Sequence, residues 1–86
     1  MDRIKVVIVD DHKMVVEGLR KLIDESQFAL VCGVAYSGNE AIAVLSRCDP
    51  DVVLLDINLP DASGLDLCRQ LKSIFPDVKI VALTSY

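Results

Sequence analysis

The stretch VVLLDINLP at residues 52–60 decides the fold. Its first four residues are all aliphatic, and so uniform a run predicts a strand covered on both faces, as in a parallel sheet. The run stops at Asp56, and the segment from there to Gly64 is dense in residues that favour turns. We therefore expect a buried strand that carries Asp56 at its carboxyl end.

The sequence on either side of this stretch alternates between strand and helix patterns. Strands are predicted at 5–9, 30–35, 52–55 and 79–83. One helix is predicted at 13–25, a second after a capping box at 37–40, and a third between Ser63 and Pro76. Gly33, within the weaker second strand, indicates a sheet edge or a bulge. Single helices between successive strands imply right-handed crossovers, so the fold class is α/β with a doubly wound parallel sheet.

Length, charge and cysteine usage narrow the class of protein. The 86 residues allow one domain, and a hydrophobic content of 52% excludes a disordered chain. Charges interrupt every apolar run, so a membrane span is not expected, and the N-terminal residues lack the layout of a signal peptide. A net charge of −4 disfavours an extended nucleic-acid surface. We interpret Cys32, Cys48 and Cys68 as reduced, buried thiols in a cytoplasmic protein with no membrane segment.

Acidic residues gather where the predicted strands end. Asp10 and Asp11 follow the first strand, Asp56 follows the third, and Thr84 follows the fourth. Ligands of such sheets bind outside the carboxyl ends of the strands, where these side chains converge if the first and third strands are neighbours. Three adjacent carboxylates repel one another unless a cation lies among them, and oxygen ligands suit Mg²⁺. A carboxylate beside Mg²⁺ can attack a phosphoryl group, whose oxygens the Thr84 hydroxyl could then bond.

Each of these residues also has a purely structural interpretation. Asp11 could be the N-cap of the first helix, and Asp56 could initiate the turn before Pro60. His12, taken alone, is expected to face solvent or to pack, and Gly18 to permit close packing at a cost of up to about 1 kcal/mol relative to alanine. The convergence of three acidic strand ends without a compensating Lys or Arg favours the acidic site.

Three segments resemble a known family. The segments VVIVDDH (6–12) with VEGLR (16–20), PDVVLLDINLP (50–60) with Gly64, and VALT (81–84) are similar to the receiver domain of bacterial response regulators. The DDH and EGLR segments look most like the NarL/FixJ (LuxR-type) transcriptional subgroup. The resemblance extends over the whole chain.

The resemblance implies a flavodoxin-like receiver fold with strand order 2-1-3-4 and the function of a phosphoacceptor. Asp56 would accept a phosphoryl group from a histidine kinase. Asp11 would ligate Mg²⁺ directly, Asp10 would act mainly through water, and the backbone carbonyl of Asn58 would be a further ligand. Thr84 would be the hydroxyl that couples phosphorylation to a transcriptional output. Such a module assists its own phosphorylation and dephosphorylation and is not an enzyme with independent turnover.

The family pattern continues beyond the fourth strand. Its later helices, fifth strand, phosphate-pairing lysine and aromatic switch residue have no counterpart in residues 1–86, and neither does the DNA-binding output domain. Lys72 and Lys79 lie in the wrong elements to replace that lysine. We therefore interpret residues 1–86 as the N-terminal part of a receiver domain, in which phosphorylation is weaker than in the complete domain or absent.

An incomplete sheet has consequences for partners. A fourth strand without a neighbour exposes an apolar edge, which predicts self-association as a dimer or with exchanged elements. DNA would be bound only through an output domain outside this sequence. The alternative function is a non-phosphorylated interaction module with a vestigial acidic pocket. A phosphohydrolase is disfavoured, because such enzymes have a second acid two residues after the first and position 58 is Asn.

Overall fold

The computed structural model describes residues 2–83, which form four strands and three helices in strict alternation. The elements are β1 (Ile4–Val9), α1 (Lys13–Glu25), β2 (Ala29–Ala35), α2 (Gly38–Cys48), β3 (Val52–Asp56), α3 (Gly64–Ile74) and β4 (Lys79–Leu83). All paired strands are parallel, and the sheet order is β2-β1-β3-β4. The predicted fold class and strand order are confirmed.

The element ends depend on local chemistry that is largely visible in the sequence. The hydroxyl of Ser37 accepts a 3.3 Å hydrogen bond from the Glu40 amide, as the capping box predicts. The Glu40 carboxylate reaches back one residue further than predicted, to the Tyr36 amide at 2.8 Å. Asp49, in the left-handed region with φ of 50°, ends α2.

The two faces of the sheet carry cores of different size. Helices α2 and α3 cover one face, and α1 covers part of the other. The larger cluster consists of Val7, Val9, Ala35, Ala41, Val44, Leu45, Val53, Leu55, Leu59, Leu67, Leu71 and Val78. The smaller cluster has only Val6, Ile8, Val16 and Val31 as buried members.

Strand β2 lies at one edge of the sheet and contains the irregularity that Gly33 predicts. Val6 of β1 pairs with Val31, but Val7 pairs with Gly33, so Cys32 is an extra residue in the ladder. Both interpretations of Gly33, a sheet edge and a bulge, are therefore correct.

No helix within residues 2–83 combines the length and the apolar character that crossing a membrane requires.

Candidate functional site

The carboxyl ends of β1 and β3 bring the acidic residues together. Asp56 is the last residue of β3, Asp10 directly follows β1, and the two strands are paired neighbours through Val9 and Leu55. Both carboxyl groups are buried, with 3% of Asp10 and 1% of Asp56 exposed. Asp11 is more accessible and lies at the rim. The convergence that the sequence predicts for these three residues is present in the structure.

A histidine side chain lies among the three carboxylates. The Nδ1 atom of His12 is 2.8 Å from Asp10 Oδ1, 3.3 Å from Asp11 Oδ1 and 3.5 Å from Asp56 Oδ2. The hydrogen bond to Asp10, followed by the charges of Asp11 and Asp10, raises the pKa of His12 above its ordinary value. When protonated, the imidazole supplies the positive charge that neither Lys nor Arg supplies among these residues. Sequence reasoning missed this role, although the position of His12 directly after two acids was a signal for it.

The two oxygens of Asp56 have different environments. Oδ1 accepts a 2.9 Å hydrogen bond from the Asn58 amide, which also starts the turn after β3. Oδ2 is buried and accepts no hydrogen bond from any residue of the described part of the chain. A buried carboxylate oxygen left without a donor is costly, so such an atom usually serves a ligand or a reaction.

The donor set around this atom suits a hard divalent cation. Ligand atoms of Asp10, Asp11, His12 and Asp56 all lie within 4.8 Å of one another. Three of the four are carboxylates, which Mg²⁺ prefers, and Asp56 Oδ2 has an unused lone pair. The residues therefore fit the Mg²⁺ ion that the resemblance implies, with the His12 side chain beside the same three carboxylates. The Asn58 carbonyl as a further ligand stays a prediction.

The purely structural interpretation is wrong for Asp11 and correct in part for Asp56. The N-cap of α1 is His12, not Asp11, and α1 has no side-chain capping hydrogen bond. Capping therefore does not account for Asp11. Asp56 does accept from the amide two residues later, so it combines a turn-forming role with its place in the cluster.

The loop that follows Asp56 is held in place by two contacts. The Asp61 carboxylate accepts hydrogen bonds from the amides of Gly38 at 2.9 Å and Asn39 at 3.0 Å, at the start of α2. These bonds lower the pKa of Asp61 below its ordinary value. At the other end of the loop, a Cβ on Gly64 would lie 2.3 Å from the Ile57 Cα, so only glycine allows this approach.

Two further residues from the sequence analysis are placed as follows. Thr84, the predicted switch hydroxyl, lies outside the described residues. Lys72 directs its ammonium group to the carbonyls of Pro76 at 2.9 Å and Val78 at 2.6 Å, where it closes the turn before β4. This agrees with the expectation that Lys72 does not replace the phosphate-pairing lysine of the family.

Comparison with known proteins identifies relatives of the whole chain. The family described as "Response regulator receiver domain" matches residues 6–86. The chain is 45% identical over 83 residues to the DNA-binding transcriptional activator DevR/DosR of Mycobacterium tuberculosis, covering 96% of this chain and 38% of the relative. It is 38% identical over 81 residues to the response regulator GacA of Pseudomonas syringae, covering 94% of this chain and again 38% of the relative. The chain therefore spans less than two fifths of the length of these two relatives.

Solved structures show the same fold. The isolated receiver domain of RcsB from Salmonella enterica, determined in the presence of phosphomimetic BeF3⁻, superposes with a TM-score of 0.90 at 28% identity, covering 99% of this chain and 64% of that one. The response regulator domain of Thermotoga maritima CheB has a TM-score of 0.89 at 26% identity, covering 98% of this chain and 62% of that one. Since the family matches nearly every residue and the fold agrees throughout, this chain belongs to the response regulator receiver domain family.

Proposed function

We propose that residues 1–86 act as the phosphoacceptor module of a cytoplasmic two-component response regulator, with Asp56 as the residue that is phosphorylated. The observation that carries this proposal is the Oδ2 atom of Asp56, which is buried at the carboxyl end of β3 without a hydrogen-bond donor. An oxygen in this state keeps its electron pair available for attack on phosphorus.

The residues around Asp56 have two roles in the proposed reaction, to hold Mg²⁺ and to orient the carboxylate. Asp10 and Asp11, together with Asp56 and the backbone carbonyl of Asn58, would hold Mg²⁺. When bound, the ion offsets the repulsion between the anionic carboxylate and an anionic phosphoryl donor. The bond from Asn58 N to Asp56 Oδ1 fixes the orientation of the carboxylate, so that Oδ2 is the oxygen directed into the cluster.

The reaction transfers one phosphoryl group. Asp56 Oδ2 forms a bond to phosphorus, and the bond from phosphorus to the leaving group of the donor breaks with its electron pair remaining on the leaving group. In the proposed cellular reaction the donor is a phosphorylated histidine of a kinase. The protein would assist its own phosphorylation and dephosphorylation without independent catalytic turnover, and contact with DNA would require an output domain.

The proposal is tested with an acyl phosphate donor and Mg²⁺, followed by intact-mass measurement. We expect one phosphoryl addition that is lost in Asp56→Asn and retained in Asp77→Asn, a matched control with an exposed carboxylate in the turn before β4. Omitting Mg²⁺ should reduce the addition strongly. Phosphorylation that survives Asp56→Asn would show that the assignment is wrong.

Thr84 is the proposed switch hydroxyl and needs a test of its own. Thr84→Ala should leave the addition of the phosphoryl group to Asp56 intact but remove the response of the rest of the domain. Amide chemical shifts upon addition of Mg²⁺ and beryllofluoride measure that response. Equal shift changes at residues far from Asp56 in the variant and the parent would contradict the role of Thr84.

A second candidate function, an interaction module, is favoured by one observation. Val81 of β4 is 48% exposed on the side of the sheet that α1 leaves open, and Leu22 of α1 is 68% exposed. An apolar surface of this kind recruits other chains. In this second function the acidic cluster would be vestigial, and self-association would not respond to Mg²⁺ or beryllofluoride.

A further inference from the structure

The bulge in β2 directs two consecutive residues toward α2. Successive residues of a regular strand point to opposite faces, but the extra residue in the β1–β2 register changes this locally. Cys32 packs against the larger core cluster, on the face that α2 covers. A Cβ at Gly33 would also point there, since it would lie 2.6 Å from the Cys48 Sγ. The absence of a side chain at Gly33 thus leaves room for the Cys48 thiol beside the strand.

The thiols of Cys32 and Cys48 meet in this space. Cys48, the last residue of α2, donates a 3.0 Å hydrogen bond from its Sγ to the carbonyl of Cys32. The Cys32 thiol donates a 3.5 Å hydrogen bond to the Val6 carbonyl and lies near enough to the Cys48 side chain for the two to interact. Both residues are partly accessible, so a small oxidant can reach them. The sequence analysis predicts reduced, buried thiols; the structure has them free, as predicted, but only partly buried.

The surroundings give the two thiols different reactivity. Burial, with a contribution from the Cys48 side chain, raises the pKa of Cys32 to about 11. Cys32 therefore keeps its proton at neutral pH. The ammonium group of Lys5 donates a 3.2 Å hydrogen bond to the carbonyl of Cys48 and so holds the C-terminal end of α2 beside β1. Because the raised pKa keeps Cys32 protonated, Cys48 is the residue to react first.

We propose that Cys32 and Cys48 are a covalent modification site, at which a peroxide converts the two thiols into a reversible intramolecular disulfide. The site is separate from the acidic cluster. It joins the edge strand β2 to the C-terminal end of α2, whereas the loop that follows Asp56 contacts the N-terminal end of the same helix through Asp61. It does not depend on phosphorylation of Asp56.

The chemistry proceeds in two steps. The Cys48 thiolate attacks one oxygen of hydrogen peroxide, the O–O bond breaks, and the product is a sulfenic acid on Cys48 with hydroxide as the leaving group. The Cys32 sulfur then attacks the Cys48 sulfur, the S–O bond breaks, and the departing oxygen leaves as water with the proton from Cys32. The hydroxide of the first step takes up the Cys48 proton. In sum, two thiols and one peroxide give one disulfide and two waters.

The test is mapping of disulfides after oxidation of the folded protein with hydrogen peroxide. Free thiols are then alkylated, and the protein is digested and measured by mass spectrometry without reduction. We expect one linked peptide pair that joins Cys32 to Cys48, and Cys68 in alkylated form. Dithiothreitol should return all three cysteines to the alkylated state. Recovery of Cys32 and Cys48 as two separately alkylated or over-oxidised peptides would overturn the proposal.

An unfolded control distinguishes preorganised thiols from chance encounters. Cys48 is 16 residues from Cys32 and 20 from Cys68, so in urea the two loops close with similar probability and the two links should form within about two-fold of each other. In the folded protein the Cys32–Cys48 link should exceed the Cys48–Cys68 link by about ten-fold or more, because only the first pair is held in contact. Equal ratios in the two conditions would contradict the proposal.

Two variants complete the experiment. Cys68→Ser retains the pair and should still lose two hydrogen atoms in intact mass upon oxidation, while remaining monomeric on non-reducing gels. Cys48→Ser removes one partner and should not form the internal link. Circular dichroism establishes that each variant is folded. A link in Cys68→Ser that connects two chains instead of two residues of one chain would also overturn the proposal.

Discussion

The two faces of the sheet differ in how completely they are covered, although the same four strands supply both. On one face, α2 and α3 bury a cluster of twelve residues. On the other, α1 alone covers a cluster of four, and Val16 is its one buried residue among thirteen. We call the first the covered face. The open face comprises Val52, Leu54 and Val81 of the sheet and the exposed apolar side chains of α1, the helix that partly covers it, namely Val15 and Leu22.

The two faces contribute differently to stability and to contacts with other molecules. Burial of apolar area is the main stabilising term, so most of the free energy of folding comes from the covered face. That face also holds Asp61 and Gly64, which position the loop beside Asp56. The open face contributes less to stability and presents an apolar surface to other molecules. Substitutions that are similar in chemistry should therefore have different effects on the two faces.

The largest effect is expected from truncating one leucine on each face. Leu71→Ala removes a side chain with no exposure from the covered face and leaves a cavity, which should lower the free energy of unfolding by about 2–5 kcal/mol. Leu22→Ala removes a side chain that is 68% exposed, so its effect should stay within about 0.5 kcal/mol. Urea unfolding of both variants measures the difference. Similar losses in the two would mean that the open face is as well packed as the covered one.

Two glycines give the next comparison. Gly64→Ala forces a Cβ against the Ile57 backbone and should destabilise the protein by about 1–3 kcal/mol, as overpacking does. Gly18→Ala, in α1, meets no atom within 4 Å and should stabilise the protein by about 0.5–1 kcal/mol through helix propensity. The expected role of Gly18 in close packing is thus not supported within the described residues. Thermal denaturation of both variants tests the opposite signs.

Much of the fold could be predicted because its signals are local. Aliphatic runs, the Ser37 capping box and the turn residues after Asp56 each act within a few positions, and the resulting strands and helices are confirmed to within one or two residues. The meeting of Asp10, Asp11 and Asp56 was also predictable, because topology alone brings the carboxyl ends of neighbouring parallel strands together.

The contacts that could not be predicted depend on where side chains lie in three dimensions. The position of His12 after two acids was a signal, but its proximity to Asp56 as well depends on the turn after β1 in three dimensions. The bulge in β2 could be predicted from Gly33, but the sequence does not indicate that the Cys48 thiol lies beside it. Binding of Mg²⁺ and phosphorylation of Asp56 stay predictions.

Substitutions on the open face should change self-association more than they change the free energy of unfolding. If it recruits a second copy of the chain, Val81→Lys should shift the molecular mass towards the monomer at every concentration, because a charge cannot be buried there without a partner. The free energy of unfolding should change little. Light scattering over a range of concentrations makes the measurement, with Lys79→Ala on the same strand as the control. A parent protein that is monomeric throughout would contradict self-association.

The smallest effect is expected at the start of the helices that cover the two faces. The first amides of α2 are bonded by Asp61, whereas α1 has neither a side-chain cap nor an acidic residue in its first turn. Because these bonds hold the Asp61 pKa below its unfolded value, their contribution is fully present above the ordinary aspartate pKa of about 4 and is lost as the pH falls through the folded pKa.

Asp61→Asn should therefore lower the melting temperature at pH 7, and the difference from the parent should shrink towards pH 3. Asp77→Asn, at an exposed site before β4, serves as the control. A gap between parent and Asp61→Asn that does not change with pH would mean that the side chain acts through its shape and not its charge. The α2 start would then owe its order to the Ser37 cap, and the two faces would differ in burial alone.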